Sequence, residues 1–314
     1  MIMEQKTDIA IVIPTSRPLV LHRALASLSS QTDKGFKVYV LSWKKDERTG
    51  EIVSDFEDSL DIRYFSFDDA TPSSLSALQK KGLTLLGDED FVMFFSDDNE
   101  LTPKCMKRFR KAAKRDSNKN VYHYNINVID MANKLIAKGK RFPRIIKVDK
   151  LFKKVFYKDY PAPLSSFIFR RSVLQERFVT LEEANRSDLA TIFACAKEEG
   201  IRTIPFSRVL WRRHSAALAS NPATAKSVAL DRVEFLRWSE DFFQNDDEYP
   251  VSPSDRIRLY ARSCAALYPD YTKEEIKEKY MQFKVFTSAI RKMKGSSALR
   301  SALGDKTGEL KGNE

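Results

Sequence analysis

Cysteine is scarce: Cys105, Cys195 and Cys264 lie far apart and are odd in number. They fit neither a zinc spacing nor a disulfide framework, and read as small buried hydrophobes in a reducing, cytoplasmic setting. Glycine (10) and proline (12) are scattered, which excludes collagen-like and low-complexity architectures. No apolar run approaches the roughly 20 residues that a spanning helix needs. Met1 to Asp8 is polar, and Ile9–Ile13 is too short for a signal-peptide core, so no secretion signal is expected. Acidic residues are in deficit, 43 against 54 Lys and Arg, for a formal charge of +11. An excess of that sign points to an anionic partner: nucleic acid, a nucleotide or a membrane surface. The basic residues carry no helix-turn-helix, RRM or zinc pattern, so nucleic acid is not the expected partner.

What is present is ample apolar material: 42% hydrophobic residues, with 21 Phe and 11 Tyr among 314. This excludes a mainly disordered chain and allows one large domain or two. Ile9–Ile13 is a β-branched run suited to a strand buried on both faces. Ser16 is expected to cap the helix that follows, with Pro18 in its first turn and Leu21, Ala24, Leu25 and Leu28 at helical spacing. Strands are expected at Val38–Leu41, Ile62–Phe67, Phe91–Phe95, Tyr122–Ile129, Ser165–Phe169 and Arg208–Trp211. Between them stand a helix capped by Ser74, a basic helix opened by Pro103, and a helix from Asp188 to Glu199 stopped by Gly200. Alternating strands and helices indicate an α/β fold with a mostly parallel sheet. The basic, aromatic stretch Arg141–Lys158 reads as a loop or lid. From about Thr224 the chain turns helical, and Thr272–Lys294 reads as a further basic helix before a frayed end.

Ser96-Asp97-Asp98-Asn99-Glu100 directly follows the Phe-rich strand. In an open parallel sheet, ligands bind beyond the carboxyl ends of the strands. Clustered carboxylates there suit a hard divalent cation that bridges to a diphosphate; a solvated acidic turn is the plain alternative. Asp188 begins a helix, where an acid serves equally as a cap. Arg213 and His214 follow a strand-like run, and both residue types suit phosphate oxygens or a metal.

Taken in order, these segments resemble the family 2 glycosyltransferases of the GT-A fold, from about Ile9 to Ser220. Ile11-Val12-Ile13-Pro14-Thr15-Ser16-Arg17-Pro18, with Arg23–Leu28 and Gln31-Thr32, resembles the family's first strand and helix. Phe94–Asn99 falls at its DxD motif and Ser165–Leu174 at the strand before the acceptor site. Asp188 falls at the acid of its "ED" motif, and Arg213-His214 with Ser220 at its late R-x-H-x-S-type segment. The resemblance implies an inverting transferase with Asp188 as general base. Pro14, Thr15, Arg17, Trp43, Lys80, Asp97 and Arg213 would lie on the donor side. Asp98, with help from Asp97 or Asn99, would hold Mg2+ or Mn2+ on the diphosphate, and His214 is the further metal ligand. The implied partners are a nucleotide-sugar donor and a saccharide or lipid-linked saccharide acceptor, in cell-surface polysaccharide or glycolipid assembly.

Three departures stand out. Ser96 replaces the first acid of the DxD motif, Leu41-Ser42-Trp43-Lys44-Lys45 replaces the acids usual after the second strand, and Leu78-Gln79-Lys80 replaces an Ala-Arg-Asn segment. They leave a second reading open, a non-catalytic GT-A-like module that binds a nucleotide or glycan. A nucleotidyltransferase ranks below both, because no Gly-rich phosphate loop lies near Pro14. The expected domains are a transferase domain over 1–220 and a helical, basic extension over 221–314. Phe283, Val285, Phe286 and Ile290 stand among Lys and Arg in that extension. Its helices read either as solvated basic faces or as a peripheral contact with an anionic membrane, at the inner face of the plasma membrane.

Overall fold

The computed structural model describes residues 8–67, 74–157, 161–181, 186–213, 225–243, 249–256, 258–259 and 263. The chain divides into two compact units, residues 1–180 with 187–217, and 181–186 with 218–314. In chain order the first unit contains β1 (Ile9–Thr15), α1 (Pro18–Ser29), β2 (Phe36–Ser42), α2 (Glu47–Ser54), β3 (Asp61–Ser66), α3 (Leu75–Leu83), β4 (Phe91–Phe94) and β5 (Glu100–Leu101). There follow α4 (Cys105–Arg115), β6 (Val121–Ile129), β7 (Leu135–Lys138), β8 (Ile145–Ile146), α5 (Val148–Phe156), a 3-10 turn (Leu164–Ser166), β9 (Phe167–Arg170), α6 (Arg171–Arg177), α7 (Ser187–Cys195) and β10 (Ile201–Arg212). The strands form one mixed sheet in the order β3-β2-β1-β4-β9-β6-β10-β5, with β7 on β6 and β8 on β10. β3, β2, β1 and β4 run parallel, as do β6 and β10, while β9 runs against both β4 and β6. This is the α/β, mostly parallel sheet flanked by helices that the alternating pattern predicts.

The branched run of β1 is buried because β2 and β4 flank it while helices cover the sheet. α1 seals one face with Leu21, Ala24, Leu25 and Leu28, all fully buried. Leu21, Leu25 and Leu28 each contribute about 1.5–3 kcal/mol relative to an exposed position. Gly82 of α3 lets that helix approach closely, since a Cβ there would lie 2.7 Å from Leu41 and 2.9 Å from Val12. Gly200 has φ +68, and a Cβ would sit 2.7 Å from the Ile146 carbonyl oxygen, which explains why glycine stops the segment after α7. Cys105 and Cys195 are buried free thiols, as expected, and burial pushes Cys195 up to about 12.

Three expectations need correction. The helix expected from Asp188 to Glu199 ends at Cys195, and residues 196–199 form a turn before Gly200. Ser16 is exposed and does not cap α1; the N-cap is Arg17, without a side-chain cap bond, because the Thr15 hydroxyl accepts from the Arg17 amide and draws the turn one residue on. Residues 141–157 are not a loop: they hold β8 and α5, whose Val148, Leu151 and Phe152 pack inward. By contrast, Ser74 caps α3 as expected, its hydroxyl accepting from the Ala77 amide at 3.2 Å.

In the second unit, α8 (Ala225–Phe243) buries Val233, Phe235 and Leu236. Asp231 binds Arg186 twice, through the backbone amide at 2.7 Å and the guanidinium at 2.8 Å. Arg256 is buried with its guanidinium 4.1 Å from the Tyr249 ring centroid. The basic helix expected over Thr272–Lys294 and Cys264 lie outside the described residues. Among the described residues no helix is long and apolar enough to cross a membrane.

Candidate functional site

The carboxyl ends of β1 and β4 lie side by side, and the chain after each supplies the polar groups. Thr15 closes β1. Its hydroxyl donates to one Asp97 oxygen at 2.9 Å and accepts from the Arg17 amide at 3.2 Å. The Arg17 guanidinium then reaches the other Asp97 oxygen at 2.5 Å and Asp98 at 3.0 Å through the same nitrogen. Burial pushes the Asp97 carboxyl above the usual carboxylate range, against the pull of Arg17 and Thr15, and Asp98 repels it further in the same direction. Burial alone would lower the Arg17 guanidinium, but the two aspartates outweigh that and raise it.

A second network lies behind the first. The Asn99 amide donates to the Ser165 hydroxyl at 2.8 Å and its oxygen accepts from the Arg212 amide at 3.1 Å. The Arg212 side chain is fully buried. It donates to the Asp98 carbonyl at 2.9 Å, to the Asp130 carbonyl at 2.5 Å, and to the Glu100 carboxylate. Asp130 also builds the β6–β7 turn, its carboxylate accepting from the Ala132 and Lys134 amides. One guanidinium thus holds the acidic loop, the end of β10 and that turn together. Arg212 and Asp130 are not among the residues that the motifs assign, and Asn99 and Ser165, which lie inside motif segments, take here a hydrogen-bonding role that the motifs do not give them. The signal of the first two was polarity next to a motif, with nothing in the spacing to separate them from surface residues.

Thr15, Arg17, Asp97 and Asp98 are brought into direct contact. Pro14 is half-buried one residue before them, and Trp43 follows the carboxyl end of β2, also half-buried. Lys80 is exposed on α3, while its neighbour Gln79 is buried. Arg213 is exposed, and its amide donates to the Ile129 carbonyl at 2.9 Å. Asp188 is half-buried in the first turn of α7, with a carboxylate oxygen 2.7 Å from the Leu189 amide. α7 packs on the 3-10 turn that carries Ser165. His214 lies outside the described residues.

A divalent ion on Asp98 is a poor fit to this arrangement. Both Asp97 oxygens are engaged, and Asp98 shares the Arg17 guanidinium, which stands between the carboxylates. Among the described residues no three His, Cys, Asp or Glu side chains come together as a metal site.

No curated protein matches this chain in sequence. Among solved structures, S. aureus TarS residues 1–349 in complex with UDP is similar with a TM-score of 0.59, at 14% identity, over 90% of this chain and 81% of that one. The same S. aureus TarS segment with UDP-GlcNAc gives 0.55, at 14% identity over 90% and 81%. These likenesses establish the GT-A-like fold. Residues 10–178, from β1 through the acidic loop to the end of α6, match glycosyl transferase family 2, and the chain belongs to that family.

Proposed function

We propose that this glycosyltransferase is an inverting enzyme that moves a sugar from a nucleoside-diphosphate donor to an acceptor hydroxyl in cell-surface polysaccharide or glycolipid assembly. The observation that carries this reading is the Thr15–Arg17–Asp97–Asp98 cluster at the carboxyl ends of the central strands. The transferase domain is residues 1–220 and the extension 221–314. S. aureus TarS binds UDP and UDP-GlcNAc, which makes uridine donors the first to test. Asp188 removes the proton from the acceptor hydroxyl. The new C–O bond forms on the face of the anomeric carbon opposite the leaving group, and the old bond breaks with its electron pair on the nucleoside diphosphate. Guanidinium groups fixed beforehand at that leaving charge stabilise it without reorganising during the reaction. Arg17 and Arg213 are the cations assigned to it, with Pro14, Trp43 and Lys80 on the donor side. The protein works in the cytoplasm on a saccharide or lipid-linked acceptor, and its extension meets the anionic inner face of the plasma membrane.

Calorimetry against a panel of nucleotide sugars, followed by transfer assays, tests this function. Asp188→Asn is expected to abolish transfer while donor binding survives; normal turnover by the variant overturns the base assignment. A second reading, a non-catalytic nucleotide-binding module, draws on Ser96 in place of an acid and on the engagement of Asp97 and Asp98 by Arg17. Saturable nucleotide binding with neither hydrolysis nor transfer from any donor in the panel would favour it.

A further inference from the structure

Resting on the transferase reading, we propose that Arg17 is the resident cation of the donor site, and that Asp97 and Asp98 position its guanidinium instead of holding a divalent metal. Both carboxylates converge on one nitrogen of Arg17, at 2.5 and 3.0 Å. The remaining Asp97 oxygen accepts from Thr15, whose hydroxyl also takes the Arg17 amide. Thr15 therefore holds the main chain of Arg17 and, through its bond to Asp97, fixes one of the two carboxylates that hold the side chain. The exposure is graded in the direction such a role requires: the Arg17 side chain is 42% exposed, against 5% for Asp97 and 9% for Asp98. A ligand arriving from solvent meets the guanidinium first and the carboxylates behind it. Clustered carboxylates call for a counter-charge, and each one here already has a guanidinium: Arg17 for Asp97 and Asp98, Arg212 for Glu100. With Ser96 in place of a further acid, three carboxylates face two guanidinium groups, so the negative excess is one charge where the motif's acid would make it two. Arg17 is also the N-cap of α1, so the positive end of a 12-residue helix opens at the same point. The ligand class is a nucleoside diphosphate, whose oxygens match the planar fork of the guanidinium.

The test is calorimetric titration of the full chain with UDP, GDP, CDP and ADP, in EDTA and in Mn2+, for the wild type, Arg17→Lys and Arg17→Ala. The wild type is expected to bind one diphosphate in EDTA, with affinity changed less than about threefold by Mn2+. Arg17→Ala is expected to lose about 10- to 100-fold in EDTA, the range for a charge-assisted contact, with Arg17→Lys in between. Mn2+ alone, followed by electron paramagnetic resonance, is expected to bind Arg17→Ala more tightly than the wild type, because the aspartates are released. Thermal unfolding of each variant checks that the fold is retained. Wild-type binding that requires Mn2+, with Arg17→Ala binding as well or better, overturns the assignment and leaves the transferase reading standing. Silence of the wild type toward all four diphosphates in both conditions overturns that reading and the assignment with it.

Discussion

His123 makes the stability of the fold depend on pH in a way that can be calculated. Its ring is buried in the middle of β6, stacked on Phe142 with centroids 4.0 Å apart and 4.6 Å from Phe167. Neither ring nitrogen has a hydrogen-bond partner among the described residues. Burial without a partner disfavours the charged form and pushes the imidazole from 6.5 down to about 3. As the pH falls, the unfolded chain therefore takes up this proton first. The stability contribution is intact above about pH 6.5 and is lost as the pH drops from there toward 3. At 1.36 kcal/mol per pH unit, the step from pH 7 to pH 5 favours the unfolded state by about 2 kcal/mol. His123→Leu removes the titration at similar volume. Urea unfolding of both proteins at pH 7, 6 and 5 gives the quantity needed, the difference between their pH slopes. Packing losses shift the variant equally at every pH, and other carboxylates act on both proteins alike. The wild type is expected to lose about 2 kcal/mol more than His123→Leu between pH 7 and 5. Equal slopes would refute the reasoning, because they would mean that the folded state accommodates the imidazolium.

Arg212→Met should destabilise the fold by about 3–5 kcal/mol by leaving Glu100 and two carbonyls without their cation, whereas Arg213→Ala should stay within about 0.5 kcal/mol; chemical denaturation separates the two. Glu89 is fully buried, accepting from the Tyr39 hydroxyl at 2.7 Å and paired with Lys37 at 3.0 Å. Burial alone would raise its carboxyl, but Tyr39 and Lys37 outweigh that and hold it below the usual range, so Glu89→Leu should cost about 3 kcal/mol at neutral pH, and less as the pH falls through that range. Phe206 is 83% exposed at φ 60, so Phe206→Gly should stabilise by about 1 kcal/mol, read as a rise in Tm. A chain stopped at Tyr271 should no longer float with anionic liposomes, and retained flotation would exclude residues 272–314 as the membrane contact.

The strands and helices that sequence made legible are those with one uninterrupted period. β1 and β4 announce themselves by runs of branched and aromatic residues, and α1 by its leucine spacing. α5 carries the same kind of spacing at Val148, Leu151 and Phe152, but Lys147, Lys150, Lys153 and Lys154 dilute it until it reads as a loop. α2 has eight residues and buries only Thr49 and Val53, too few to set a period. That Arg212 ties the acidic loop to the end of β10 is not legible from strand parity. In a strand, alternate residues face opposite sides, yet β10 breaks register with β6 between Ile204 and Arg208. Counting inward and outward positions from Ile201 fails at that bulge, so only the fold reveals that Arg212 points inward. The acidic loop was legible because two adjacent aspartates after an apolar strand need an explanation. Arg17 as their partner was not, since 80 residues separate it from Asp97.

The node at Arg212 also bears on how this site can change over time. Glu100 and Arg212 are 112 positions apart yet form one ion pair, and the same side chain carries the Asp98 and Asp130 carbonyls. Losing Glu100 leaves a fully buried guanidinium without its carboxylate, and losing Arg212 leaves a mostly buried carboxylate without its cation, so the viable steps are paired ones, in which both residues are replaced by apolar neighbours of matching size. Such a replacement would still free the Asp98 loop from the β6–β7 turn. Sequences that share this arrangement are therefore expected to keep or lose Glu100 and Arg212 together, and to vary the length of the β6–β7 turn only where both are gone.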